Sequence, residues 1–315
     1  MTATTTLPFV RPDVAAFLAA GEASGAPPLN QLPVAVARMA IRDMSQGAGG
    51  DPLPLATVRD LAFPGPAGDI ALRLYDQRAE RGEGPLILFF HGGGFVFGDL
   101  DSHDPFCRLL ADRTDLPVLA VDYRLAPEHP FPAAVDDAEA VARWVASGPA
   151  VLGRAVSGIV TCGDSAGGHL AILVAQQLAA RPAAAAVLAQ WAVYPYIGDL
   201  AERESVRLFG EGYMVTRASM RWFDDLNGNP GNDPRHALLL GEAPATPLLI
   251  QTCGLDPLRD QGRAYAEKAR AAGAPVVELN ADGMIHGYVN LLDALPSSRG
   301  DVDAMIAAGL GLLGR

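Results

Sequence analysis

The amino-acid sequence predicts an α/β protein: a mostly parallel sheet covered by helices on both faces. Three observations carry that reading. Solid apolar runs recur along the chain, too continuous for strands with one wet face. Helical patterns lie between them, the alternation expected of a parallel sheet. Half of the 315 residues are apolar and only 19% are charged, which supplies a large core and excludes a disordered chain.

The elements follow in order. The first fifty residues read as helical and distinct from the rest. Pro12 and Asp13 precede Val14, Phe17 and Leu18, a helix start with an i, i+3, i+4 face. Gly25-Ala-Pro-Pro28 interrupts it, a second helical pattern runs from Val34 to Met44, and Gly47-Ala-Gly-Gly50 makes a flexible break. Segments 57–63 and 70–75 flank a turn-rich stretch and read as an antiparallel pair. Buried parallel strands are expected at 86–90, 118–121, 159–162 and 187–193, continued by 248–250 and 276–277. Helices between them include 135–145 and 170–178. From Tyr194 to Leu248 the connection is about fifty residues, far more than a crossover needs. It holds an apolar cluster expected to be helical, Met214, Met220, Trp222 and Phe223. The organisation expected is therefore an N-terminal helical part (1–50), a core (51–196 and 233–315) and an insertion (197–232). Insertion and N-terminal helices would pack as a lid over one end of the sheet; the alternative is an extra helix on its flank.

Charge and cysteine usage narrow the function classes. With 24 Lys and Arg against 36 Asp and Glu the net charge is −12, and no basic stretch offsets it, so nucleic acid and anionic membranes are poor partners. Cys107, Cys162 and Cys253 are too few and too scattered for a disulfide framework and suit a reducing compartment. Cys162 and Cys253 are expected at the ends of neighbouring strands, as packing residues rather than reactive thiols. No CxxC occurs, so a zinc site of that kind is excluded. The N-terminus lacks a basic and an apolar leader region, and no apolar run reaches the roughly 20 residues of a membrane span. The chain is expected to be soluble and cytoplasmic.

Gly163-Asp-Ser-Ala-Gly167 is the strongest chemical signal. It fits G-x-S-x-G directly after a buried strand and before a helical pattern. There the serine sits on a sharp turn at a helix N-terminus, where glycines avoid clashes and the dipole favours developing negative charge. A glycine turn with an incidental serine is the plainer alternative. His91-Gly-Gly-Gly-Phe95, after segment 86–90, can bring backbone N–H groups up to an oxyanion. A phosphate loop would need a Walker or dinucleotide pattern, and neither is present.

A serine needs a base, and the base an orienting acid. His286 follows the last expected strand, 275–279, and would emerge at the serine's end of the sheet. His169, four residues after Ser165, runs down the helix away from the hydroxyl. His91 belongs to the glycine turn; His103, His129 and His236 lie in loops suited to solvated or structural roles. Asp256 follows the strand ending at Cys253 and gives the order Ser…Asp…His; Asp260, a turn later, suits a helix start or a surface pair.

Five stretches together, His91-Gly-Gly-Gly94, the segment from Asp122-Tyr-Arg through Ala133, Gly163-Asp-Ser-Ala-Gly-Gly168, Asp256-Pro-Leu-Arg-Asp260 and Gly283-Met-Ile-His-Gly287, resemble the hormone-sensitive-lipase-like family of α/β-hydrolases, including its bacterial carboxylesterases. The resemblance covers residues 50 to 315. It implies an eight-stranded, mostly parallel sheet with a helical cap, Ser165 as nucleophile, His286 as base, Asp256 as its partner, and the N–H groups of Gly93, Gly94 and Ala166 as oxyanion hole. Segment 123–132 would brace the site, with Glu128 and His129 outside the chemistry. One departure is His169, where the family usually has asparagine.

The expected function is hydrolysis of short- to medium-chain carboxylic esters, with no metal or organic cofactor. Phe95, Phe97, Met214 and Trp222 are candidate substrate contacts. The same machinery would serve an amide, lactone or carbamate, and a ligand-binding protein on this fold is a further alternative, disfavoured because all three triad positions are filled. Val276 and Val277 read as an edge strand through which two copies could pair. Physiological substrate and stereochemical preference are set by pocket shape.

Overall fold

The structure is a computed structural model describing residues 8–49, 52–198 and 201–315; the expected leader-free N-terminus and the 50/51 boundary lie outside these residues. Two N-terminal helices, α1 (Pro12–Ala23) and α2 (Val34–Ala48), precede the sheet. The sheet comprises β1 (Thr57–Gly65), β2 (Gly68–Asp76), β3 (Gly84–Phe90), β4 (Val118–Asp122), β5 (Val156–Asp164), β6 (Val187–Val193), β7 (Leu248–Leu255) and β8 (Val276–Ile285). Their spatial order is β1-β2-β4-β3-β5-β6-β7-β8. Strand β2 runs antiparallel to both neighbours; every pair from β4 to β8 is parallel. The connecting helices are α3 (Asp104–Thr114), α4 (Ala133–Ala146), α5 (Ala166–Ala180), α6 (Glu204–Phe209), α7 (Arg217–Leu226), α8 (Arg259–Ala271) and the terminal α9 (Arg299–Leu312).

Period-two alternation explains why the central strands read as unbroken apolar runs. In β3, Leu86, Leu88 and Phe90 enter the core shared with α4, α5 and α8, while Ile87 and Phe89 enter the opposite core with α3 and α9. Both faces are dry, so every residue must be apolar. A third, smaller cluster brings α2 (Ala37, Ile41) and α7 (Trp222, Phe223, Leu226) together over Val96 and Phe97.

Three expectations change. The last strand does not stop at Leu279: β8 continues to Ile285, Thr252 pairing with Asn280 and Cys253 with Ala281. Its polar stretch is stitched to β7 by the Thr252 hydroxyl, which donates to Asn280 Oδ1 at 2.8 Å, a bond that hydropathy does not signal. Cys162 and Cys253 are not on neighbouring strands, because β6 lies between β5 and β7; both are free and buried, and burial pushes their thiols up from the ordinary range. Met214 is not helical: it precedes α7 in a turn with φ +71°. Helix α3, given no element by the sequence reading, fills the β3–β4 crossover with Phe106, Cys107 and Leu110 buried.

Candidate active site

Ser165 stands between the end of β5 and the first turn of α5, at φ 55° and ψ −118°, a region disfavoured for a side-chain-bearing residue. The flanking glycines make that turn closable. A Cβ on Gly163 would lie 2.3 Å from the Gly167 carbonyl oxygen, and one on Gly167 only 1.9 Å from the Phe90 carbonyl oxygen. The serine is held by its own backbone, its N–H donating to Val193 O and its carbonyl accepting from Tyr196 N–H at 3.1 Å.

His286 begins where β8 ends, and Asp256 where β7 ends, so two adjacent strands deliver them beside the serine. His286 Nε2 lies 2.8 Å from Ser165 Oγ, and its Nδ1 2.8 Å from Asp256 Oδ2. Asp256 is fully buried, and its other oxygen accepts from the Leu258 N–H at 2.8 Å. That bond orients the carboxylate, which in turn orients the imidazole. Asp260 sits in the first turn of α8, accepting from Ser205 N–H and from Arg259, away from the line.

The glycine turn faces the serine. Gly93 has φ +119° and Gly94 φ +61°; a Cβ on the first would strike Phe97 O, on the second the Phe223 ring. Among the described residues nothing accepts from the N–H groups of Gly93 and Gly94, and Ala166 N–H heads α5, where no intrahelical partner exists. Three donors are thus free beside Ser165.

Asp164, unassigned by the sequence reading, ties the two turns together. Its Oδ1 accepts from the Gly92 N–H at 2.8 Å and lies 3.2 Å from His103 Nε2, while Tyr194 OH donates to Oδ2 at 3.4 Å. Burial pushes this carboxyl up, but His103, with His286 and His91 nearby, holds it net below the usual carboxylate range. The motif leaves the position before the serine open, so the sequence carries no signal for this role. From the other side Tyr123 OH donates to His91 O at 2.7 Å, and the His91 and Tyr123 rings stack at 4.2 Å. Glu128 pairs instead with Arg38 on α2. Neither His103 nor His236 is solvated: both are buried.

The cavity at the serine is lined chiefly by apolar and aromatic side chains. Of the residues expected to contact substrate, Phe95 lines it; Phe97, Met214 and Trp222 do not. Phe97 and Trp222 pack on each other at 5.6 Å in the cluster beneath α2. The wall from α7 and its C-terminal cap is Met220, Phe223, Asp224 and Asn227, spaced i, i+3, i+4 and i+7. That periodicity was visible in the sequence, but not which face of the helix met the serine. Val215, Tyr196, His236 and Leu258 complete the lining. Among the described residues no group of three or more His, Cys, Asp or Glu is placed to hold a metal ion, and no helix is long and apolar enough to cross a membrane.

His169 is buried on α5, its Nε2 2.9 Å from Arg235 O, remote from the serine hydroxyl's hydrogen bonds. Burial, then the neighbouring His236, lowers it to about 3; burial, then His103, lowers His91 to about 4. Both folded values lie below the unfolded value of about 6.5, so the unfolded chain binds more protons on acidification. Their stability is complete above about pH 6.5 and is lost as pH falls toward 4 and then 3, by about 1.4 kcal/mol per pH unit for each histidine. Urea midpoints should therefore drop steadily from pH 7 to pH 5, and less steeply in His169→Asn. A flat profile, or one unchanged by the substitution, would contradict this.

An eight-stranded sheet with a serine elbow, a histidine and an aspartate delivered from its strand ends defines an α/β hydrolase. A sequence model described as the alpha/beta hydrolase fold matches residues 87–290, and the chain belongs to that fold's hormone-sensitive-lipase-like family. It is 40% identical over 262 residues to the carboxylic ester hydrolase LipN of Mycobacterium tuberculosis, covering 80% of this chain and 69% of that one. To the ethyl acetate hydrolase of Pseudomonas putida it is 35% identical over 294 residues, 90% and 92% of the two chains. An ester hydrolase from the metagenome of Lake Arreo, solved with a derivative of bipyridine phosphonate, superposes with a TM-score of 0.91 at 34% identity, over 97% of this chain and all of that one.

Proposed function

We propose that the chain is a serine carboxylesterase acting on short- to medium-chain carboxylic esters. The observation that carries the reading is the line Ser165 Oγ–His286–Asp256, with two 2.8 Å contacts, opening into a confined pocket beside three free N–H donors. His286 Nε2 takes the Ser165 proton as Oγ attacks the ester carbonyl, and the Asp256 carboxylate stabilises the imidazolium. The N–H groups of Gly93, Gly94 and Ala166 receive the oxyanion. His286 then protonates the leaving alkoxide, leaving an acyl-enzyme on Ser165. Water, deprotonated by the same imidazole, releases the acid and restores the serine. No step calls for a metal or organic cofactor.

The cap belongs to the same proposal. The N-terminal helical part and the 197–232 insertion cover the pocket, supported by the joint packing of α2 and α7 residues around Val96 and Phe97 and by the α7 residues in the wall. Edge pairing of two chains through Val276 and Val277 of β8, the outer strand, is included, as is residence in the cytoplasm, which suits three free cysteines. The acyl preference is tested with p-nitrophenyl acetate, butyrate, octanoate and palmitate. We expect kcat/KM to peak at acetate or butyrate and to fall at least about tenfold by palmitate, because a confined pocket rejects the longer chain. Faster turnover of palmitate, or of emulsified triglyceride, would overturn the size preference.

A further inference from the structure

We propose that His236 and Asp224 form the wall that sets how long a substrate chain the catalytic pocket accepts; the inference rests on the esterase reading. Beside the pocket at Ser165 lies a second, partly open cavity, and the two share two lining residues, Asp224 and His236. The far cavity is bounded largely by aliphatic and small side chains, among them Ile197, Ala201, Ala237, Leu239 and Leu240. A hydrocarbon chain fits such a lining.

The wall is assembled from two separate pieces of chain. Asp224 comes from α7 and His236 from the segment that leads back to β7. His236 Nε2 and Asp224 Oδ1 stand 3.5 Å apart, and Oδ1, although buried, has no hydrogen-bond partner among the described residues. The halves are thus not fastened to each other by a good hydrogen bond. His236 is held from behind. Tyr196 OH lies 3.2 Å from His236 Nε2, and the His236 N–H donates to Asp233 O at 2.9 Å. The His236 ring packs against Phe131, His169 and Tyr196. Gly198 lets this segment approach: a Cβ there would meet the His236 carbonyl oxygen at 1.8 Å. His169 fixes the preceding residue through Arg235 O. The imidazole is a rigid plug, and its removal should join the two cavities.

The test compares kcat/KM for p-nitrophenyl octanoate and butyrate in the native chain, His236→Ala and His236→Phe. The octanoate-to-butyrate ratio should rise about tenfold or more in His236→Ala, since each added methylene with a place to go is worth that order of discrimination. His236→Phe refills the wall with a ring and should stay within about threefold of the native ratio. An unchanged ratio in a folded His236→Ala, or an equal rise in His236→Phe, overturns the proposal. Should His236→Ala fail to fold, Asp224→Ala opens the other half of the wall; a rise in its ratio supports the proposal and an unchanged ratio overturns it. A native chain inert toward both esters would instead defeat the esterase reading, so the two failures are distinguishable.

Discussion

Replacing Ser165 with alanine should lower kcat on p-nitrophenyl butyrate by at least about 10⁴-fold while leaving the fold in place. The estimate follows from the interdependence of a nucleophile, its base and the base's partner: removing one disables the unit, and only binding and oxyanion stabilisation remain. Ser165 Oγ makes its hydrogen bond to His286, whereas the backbone bonds that build the turn run through Ser165 N–H and O. Alanine keeps those bonds and the positive φ. The melting temperature should accordingly move by only a few degrees, and circular dichroism should match the native spectrum. Activity surviving within about tenfold would show that Ser165 is not the attacking group.

Asp164→Ala should be the most damaging change at a residue outside the Ser165, His286 and Asp256 line and the oxyanion donors. The carboxylate is buried and bonded to the Gly92 N–H, next to His103 and Tyr194. Deleting it strands a buried donor beside a buried imidazole, a loss of about 3–5 kcal/mol by analogy with broken buried pairs. It also cuts the only side-chain tie described between the glycine turn and the serine elbow, so the donors at Gly93 and Gly94 drift from where the oxyanion forms. Loss of an oxyanion donor costs about 10²–10³ in kcat. We therefore expect a marked drop in melting temperature together with a kcat lowered by about two orders of magnitude and a KM little changed. Asp164→Asn retains an acceptor for Gly92 and should fall between the two. Native stability and native kcat in Asp164→Ala would refute this linkage.

Comparison of these two residues shows what the sequence made legible. Ser165 announced itself because a strand, a tight turn and a helix start leave readable marks: an apolar run, paired glycines and small residues. Asp256 was readable for a related reason, as an acid just past an apolar run, and His286 from its place in a loop after the last expected strand. Asp164 occupies a position that the motif leaves open, and its partners Gly92 and His103 arrive from another crossover; only folding reveals the bond. The central strands were legible because burial on both faces demands continuous apolar residues. The far half of β8 was not, since its Asn280, Asp282 and Gly283 look like a loop until β7 pairs with them. Helix α7 shows the remaining limit. Its amphipathic spacing exists in the sequence, but the choice between the Trp222 face and the Met220, Phe223, Asp224, Asn227 face depends on how α7 docks against α2 and Phe97. Phe97 and Trp222 went to that packing cluster, and the pocket took their neighbours.

The central claim is that Ser165 carries the acyl group, and trapping it covalently is the direct test. The chain would be treated with a fluorophosphonate ester, digested, and read by mass spectrometry. The account predicts a single phosphonyl adduct on the peptide containing Ser165, appearing in step with loss of esterase activity and absent from Ser165→Ala. Activity lost with the adduct on another residue, or full activity retained by a chain labelled at Ser165, would contradict it.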